Sequence, residues 1–202
     1  MREWRVSSFG EPADVMSLVD DVEPFEVKSN QLRIKVEAAG LGLPDVFMCQ
    51  NTYPLTPALP FVLSQEAAGV VVEVGENVDH ALMGRRVLGP TMIQEKKGGL
   101  AEFCLMSDRG IYEIPEDMTS EQAAGFFIPY QTAWVGLVHR AKLKPEDTVL
   151  ILGASGSSGC AAVQLAKAVG ARVIAVAGGL EKSAFCTESG ADAVIDHHSE
   201  DI

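Results

Sequence analysis

Residues 148–159 read Thr-Val-Leu-Ile-Leu-Gly-Ala-Ser-Gly-Ser-Ser-Gly. Thr148–Leu152 is apolar, β-branched and without alternation, which predicts a parallel strand buried on both faces. Small residues then turn the chain. Cys160–Val169 carries Ala, Val and Leu at helical spacing up to Gly170, and Arg172–Val176 is a second apolar strand. Strand, glycine turn, helix and strand make a βαβ unit, the setting in which a glycine pattern reads as a dinucleotide fingerprint. Gly156 then lets the backbone approach a pyrophosphate, and Gly159 lets the helix pack on the strand. The unpaired N–H groups of the helix start face the phosphates, whose charge the helix dipole favours. Ala154 replaces the first glycine of the usual pattern, and Ser155, Ser157 and Ser158 offer hydroxyl donors. The plainer alternative is a tight turn in an α/β domain that holds no ligand.

Working outward, Gly178-Gly179 leads into a helix at about 180–189, Gly190 ends it, and 193–195 is a third strand. Upstream, Lys144-Pro145-Glu146-Asp147 is a turn. Thr119 caps a helix with Gln122 three residues on; that helix runs towards Arg140, kinked or divided at Pro129. Before it the pattern changes. Residues 2–8, 15–19, 31–39, 67–74, 85–88, 100–106 and 111–114 read as short strands, with a brief helix at 43–50. An acidic turn region covers 20–30, and loops cover 51–60 and 91–99. Gly69, inside a strand, marks a bulge or a bend. Many short strands with glycine and proline turns imply a small, bent antiparallel barrel.

Composition narrows the function classes. Of 202 residues 47% are hydrophobic and 22% charged, with a net charge of −12, an ordinary globular mixture. No Lys/Arg cluster exceeds two adjacent residues (Arg85-Arg86, Lys96-Lys97), which argues against nucleic acid. No apolar run approaches the length of a membrane span, and the N-terminus lacks a signal-peptide core. Cys49, Cys104, Cys160 and Cys186 are scattered without a CxxC pair, as expected of reduced cytoplasmic thiols. Cys160 falls in the first turn of the phosphate-facing helix, where a thiol is either activated or simply packed.

This order of parts resembles the medium-chain dehydrogenase/reductase superfamily, and within it the zinc-free quinone oxidoreductase (zeta-crystallin-like) branch. The resemblance rests on Phe9-Gly10, Val36–Gly40, Pro60-Phe61, Glu66–Val71, Gly99–Phe103, Pro129–Trp134, Gly153–Gly159, Val163–Lys167 and Gly190–Asp192, and spans the whole chain. It implies a GroES-like barrel at 1–121 followed by the first half of a Rossmann sheet at 122–202. It also implies hydride transfer from a nicotinamide between them.

Site residues follow from the same resemblance. Zinc-dependent members carry a cysteine before the Asp matching Asp45, and a His-Glu pair. Here these positions read Gly42 and Gln65-Glu66, so no zinc is expected. Carbonyl polarisation must then come from hydrogen-bond donors. Gly42-Leu43, Phe47 and Cys49 depart from the branch pattern and remove polar groups from the substrate cleft. Tyr53 remains as substrate-side donor or stacking residue, or as a ring packed among Pro54, Pro57 and Pro60. Tyr130 and Thr132 match contacts to the nicotinamide half, or else cap and pack around Pro129. After the second strand Ala177-Gly178-Gly179 offers no carboxylate for a ribose, and Lys182 matches a lysine for the 2′-phosphate, so NADPH is favoured. The alternative for Lys182 is a solvated helix charge. His197 stands where relatives often carry a tyrosine against the adenosine phosphate.

Only three of the six Rossmann strands are present, so a wall of the crevice is missing and 148–152 becomes an apolar edge. A fragment of a longer enzyme is expected. The function expected is an NADPH-dependent, cytoplasmic, homodimeric reductase of quinones or α,β-unsaturated carbonyls. The alternatives are an enoyl-thioester reductase and a non-catalytic NADPH-binding protein.

Overall fold

The computed structural model describes residues 1–23 and 25–200. Part of the turn region expected at 20–30 (Pro24) lies outside them. The chain divides into two compact units, one ending at Phe127 and one beginning at Ile128. The division falls beyond residue 121 because the helix that follows packs its Ala123 and Ala124 into the first unit, against Ala68, Leu88 and Ile114.

The first unit begins with β1 (Glu3–Val6), α1 (Pro12–Val15), β2 (Met16–Val19), β3 (Gln31–Gly40), α2 (Leu43–Cys49) and β4 (Phe61–Val62). It continues with β5 (Glu66–Val74), β6 (Arg86–Pro90), β7 (Phe103–Ser107), β8 (Tyr112–Glu113) and α3 (Ser120–Ala124). Its strands form two antiparallel sheets among the described residues, ordered β2-β1-β4 and β7-β3-β5-β6-β8. This is the GroES-like part. Alternation in β3 buries Leu32 and Ile34 against Ala67, Val71, Val87, Cys104 and Met106. The β3–β5 ladder slips register at Arg33/Ile34 and again at Val36/Ala38. Gly69 faces Val36 between these slips, and a Cβ on it would stand 2.1 Å from Lys35 O. The glycine inside the strand therefore permits backbone contact at a bend.

Local readings shift at two places. The strand expected from Leu100 begins at Phe103, because Ala101 N–H turns back to Gly99 O at 2.8 Å while Leu100 O accepts Trp4 N–H at 2.8 Å. The helix expected from Thr119 does divide, but at Gly125-Phe126. Pro129 sits in the first turn of the next helix, where its missing N–H leaves no bond unmade.

That next helix, α4 (Phe127–Ala133), runs into a π-helical segment, Trp134–Arg140. Then come β9 (Thr148–Leu152), α5 (Ser157–Val169), β10 (Arg172–Ala177), α6 (Leu180–Glu188) and β11 (Ala193–Asp196). The three strands form a parallel sheet ordered β11-β10-β9, half of a Rossmann sheet. Val163 and Ala166 of α5 and Cys186 of α6 share one core with Ile151, Val173, Ala175 and Ala177. Successive right-handed crossovers in one direction place both helices on the same face. The strand expected to be buried on both faces is accordingly buried on one. Ile151 is 7% exposed, whereas Leu150 and Leu152, on the other face, are 48% and 66% exposed.

Candidate functional site

The glycine turn joins β9 to α5. Gly153 takes the left-handed conformation, φ +62°, so the tight turn is made one residue before Ala154. Ala154 is buried and donates its N–H to Val176 O at 3.0 Å, which fixes the turn to the neighbouring strand. Gly156 is the N-cap of α5, and no side chain caps this helix start. The helix begins at Ser157, three residues earlier than the spacing predicts. The first bond back to the cap is Cys160 N–H to Gly156 O, at 2.7 Å. The N–H groups of Ser157, Ser158 and Gly159 therefore precede the intrahelical ladder, the arrangement that receives an anion. Gly156, Ser157 and Ser158 are exposed, and Ser155 is half-buried.

The two later glycines differ physically. A Cβ at Gly159 would stand 2.2 Å from Gly153 O and 2.8 Å from Ala154 Cα. Glycine is required there by the chain's own packing. At Gly156 a Cβ would meet Gly153 O at 3.4 Å, an ordinary contact.

A second cluster forms where β10 and β11 end. Ala177 pairs with Asp196, and Ala177 O accepts the N–H of His197 at 3.1 Å. Asp196 Oδ1 accepts the N–H of Gly179 at 2.9 Å and of His198 at 3.0 Å. These donors, with the nearby imidazoles, hold the Asp196 carboxyl below the usual carboxylate range. Lys182 lies exposed in the first turn of α6, whose N-cap Gly179 also lacks a side-chain cap. Lys182 and His197 thus come from the two elements that flank the end of β10. Sequence reasoning misses Asp196 and His198 here. Their signal, an Asp-His-His run closing a strand, gains meaning only once β11 is paired with β10.

Tyr130 and Thr132 lie on α4. Tyr130 donates its hydroxyl to Gln164 Oε1 of α5, and burial pushes its phenol up, with the Cys160 thiolate adding to the shift. Gln164 Nε2 in turn donates to Cys160 Sγ at 3.3 Å, and Cys160 Sγ lies 3.5 Å from Ser189 Oγ. Thr132 is exposed and returns its hydroxyl to Ile128 O at 2.8 Å, the helical back-bond common for threonine.

In the first unit Tyr53 is half-buried, its side chain packed with the core of Val6, Met48, Cys49, Phe61, Leu63 and Ile93. Asp45 is buried and spends its oxygens on backbone, Oδ2 on Gly42 N–H at 2.9 Å and Oδ1 on Ser64 N–H at 2.8 Å. Burial raises its pKa, although these bonds pull the other way. Among the described residues, no three His, Cys, Asp or Glu side chains are grouped to hold a metal ion. Nor is any helix there long and apolar enough to cross a membrane.

Two family descriptions match this chain: "Alcohol dehydrogenase GroES-like domain" over residues 28–116 and "Zinc-binding dehydrogenase" over residues 159–202. Human quinone oxidoreductase is 36% identical over 197 residues, 98% of this chain and 59% of its own length. The chain belongs to the medium-chain dehydrogenase/reductase superfamily. Within this superfamily two solved structures resemble it throughout. Escherichia coli quinone oxidoreductase complexed with NADPH has a TM-score of 0.85 at 28% identity, covering 100% of this chain and 60% of that one. An NAD-dependent alcohol dehydrogenase has a TM-score of 0.90 at 27% identity, covering 100% of this chain and 65% of that one. The chain thus spans about three fifths of the superfamily members it matches.

Proposed function

We propose that this chain is part of a zinc-independent, NADPH-dependent oxidoreductase that delivers hydride to a quinone or an α,β-unsaturated carbonyl. The barrel unit is assigned to the acceptor and the parallel-sheet unit to the dinucleotide. The observation that carries this reading is the glycine turn with an uncapped helix start behind it. Its own atoms do not demand glycine at 156, which is what a backbone surface approached by pyrophosphate requires.

A nicotinamide cofactor, when bound, would supply the hydride. The N–H groups of Ser157–Gly159 and the hydroxyls of Ser155, Ser157 and Ser158 would hold its pyrophosphate. Tyr130 and Thr132 are assigned to its nicotinamide half, and Lys182 with His197 to its 2′-phosphate. No metal is needed to polarise the acceptor. Gly42 has no side chain, Gln65 carries an amide, and both Asp45 oxygens are bound to backbone, so this donor set does not suit zinc. Hydrogen-bond donors then stabilise the developing oxyanion, with Tyr53 the proposed donor or stacking ring.

A second reading, NAD(H) as cofactor, draws on the likeness to an NAD-dependent alcohol dehydrogenase. Against it, the end of β10 carries Ala177-Gly178-Gly179, and Asp196, paired with Ala177 on β11, has one oxygen, Oδ1, already bound by two backbone N–H groups. An NAD site wants a free acid there.

The test follows NADPH absorbance with simple quinones and enones on the complete protein, with NADH in parallel. NADPH oxidation well above the NADH rate is expected. Tight NADPH binding without turnover of any acceptor would sink the reading.

A further inference from the structure

From Phe61 to Gly69 the chain is buried at every residue except Gln65, which is half-buried. The backbone around it is tied on several sides. Ser64 takes the left-handed conformation, φ +77°, which a serine keeps only where its surroundings fix it. Its N–H donates to Asp45 Oδ1 at 2.8 Å, and its Oγ donates to Glu66 O at 2.7 Å. Its carbonyl accepts Thr91 Oγ1 at 2.7 Å and the Gly99 N–H at 2.9 Å. Gln65 O accepts the Thr91 N–H at 2.8 Å. The Gln65 side chain, by contrast, makes no hydrogen bond to a described residue. Its amide is thus a donor on a fixed backbone, open on one side and unspent within the unit.

The ground beside it is open and apolar. Asp45 binds the Ser64 N–H with one oxygen and the Gly42 N–H with the other, so a single carboxylate sets the start of α2 beside Ser64. Beyond its chain neighbours, a Cβ on Gly42 would meet only Pro44 Cδ, at 3.3 Å. Leu41, Leu43 and Phe47, at this start and along α2, are exposed.

Resting on the hydride-transfer reading above, we propose that Gln65 is a catalytic residue whose side-chain N–H donates a hydrogen bond to the acceptor's oxygen. Hydride leaves a C–H bond of the reduced cofactor, which is thereby oxidised, and forms a C–H bond at the acceptor's electrophilic carbon. The acceptor's π electrons move onto its oxygen. The Gln65 amide holds that oxyanion and keeps its own proton; the proton that neutralises the oxygen comes from water. A donor placed for developing charge stabilises the transition state more than the neutral acceptor.

The test uses Q65M and Q65E in the complete protein. Both are expected to lower kcat for a simple quinone about 10²-fold, with NADPH affinity and melting temperature unchanged, because the side chain has no internal partner to lose. Q65N, which keeps the amide on a shorter stem, is expected to fall between. A second arm needs no cofactor: 4-nitrophenolate, an oxyanion on an apolar ring, is titrated by its absorbance. Its affinity is expected to fall roughly tenfold in Q65M, as for loss of a hydrogen bond to a charged group, and further in Q65E. Quinone turnover by Q65M at the unaltered rate overturns the proposal and leaves the hydride reading intact. Lost turnover with unaltered phenolate affinity overturns it too, since the loss is then one of structure. Absence of turnover in the unaltered protein overturns both.

Discussion

Gly159 and Gly156 carry the same side chain three residues apart, and the structure gives them separate duties. A Cβ at 159 meets carbonyl oxygen and Cα, which cannot swing aside. Gly159→Ala is expected to destabilise the fold by about 1–3 kcal/mol, in the range of overpacked sites, read from a chemical denaturation midpoint. Gly156 has φ −79°, which alanine adopts freely, so Gly156→Ala should leave that midpoint nearly unchanged while weakening NADPH binding. An unchanged NADPH affinity in Gly156→Ala would remove the pyrophosphate from this turn. The duty of Gly159 is legible in the sequence because strand, turn and helix are contiguous. Gly178 is not legible in that way. The atoms that crowd it come from His197 and His198, and only the pairing of β10 with β11 brings them together.

Elements were legible where periodicity and capping agree. The start of α3 is an example: Thr119 Oγ1 accepts the Gln122 N–H at 3.3 Å, and Gln122 Oε1 accepts the Thr119 N–H at 3.1 Å. Arg86 Nη2 of β6 adds bonds to Met118 O and Ser120 Oγ, fastening the cap to the barrel. Thr119→Ala should cost about 1 kcal/mol, and Thr119→Ser should recover most of it, measured by thermal unfolding. Elements were misjudged where tertiary contact decides. The apolar run of β9 does not say how many of its faces will be covered. With α5 and α6 on one side, Leu150 and Leu152 stand bare on the other, on a strand at the end of its sheet. Unpaired edge and apolar face together favour association. Leu152→Lys should reduce concentration-dependent light scattering of this 202-residue chain without lowering its melting temperature. Equal scattering would show that this strand is not the sticky surface.

Across the whole molecule both units carry carboxyls that acid would release. In the parallel-sheet unit Asp192 is held below the usual range by Lys167, whose Nζ lies 2.8 Å from both oxygens, and by the Val173 N–H at 2.7 Å. Asp196 is lowered by its backbone donors. A lowered carboxyl contributes stability that is present above its unfolded pKa and lost as the pH falls through its folded value. In the barrel unit Asp45 is raised by burial. Its contribution is present below the unfolded pKa and lost as the pH rises through the folded value. Glu95, Glu102 and Glu121 of the barrel unit are lowered as Asp192 is, so acidification is expected to loosen both units, with Asp45 opposing the trend in the barrel. Limited proteolysis at about pH 7 and about pH 4 would show new cuts in both units at the lower pH; a unit as resistant at about pH 4 as at about pH 7 would contradict it. Asp192→Asn should flatten the acid response of the second unit.

The closing contact of the barrel also sets a schedule for its birth. Arg2 reaches Glu102 through its N–H and its Nε, both at 2.9 Å, across a separation of 100 residues, and Trp4 leans on Leu100 in the same seam. A ribosome adding roughly 5–20 residues per second needs on the order of 5–20 s to supply the far side of that seam. For that interval β1 has its hairpin partner β2 but not its final one. Over that interval Val6, fully buried in the folded unit, waits for Phe61, Leu63 and Ile93 to complete its cover.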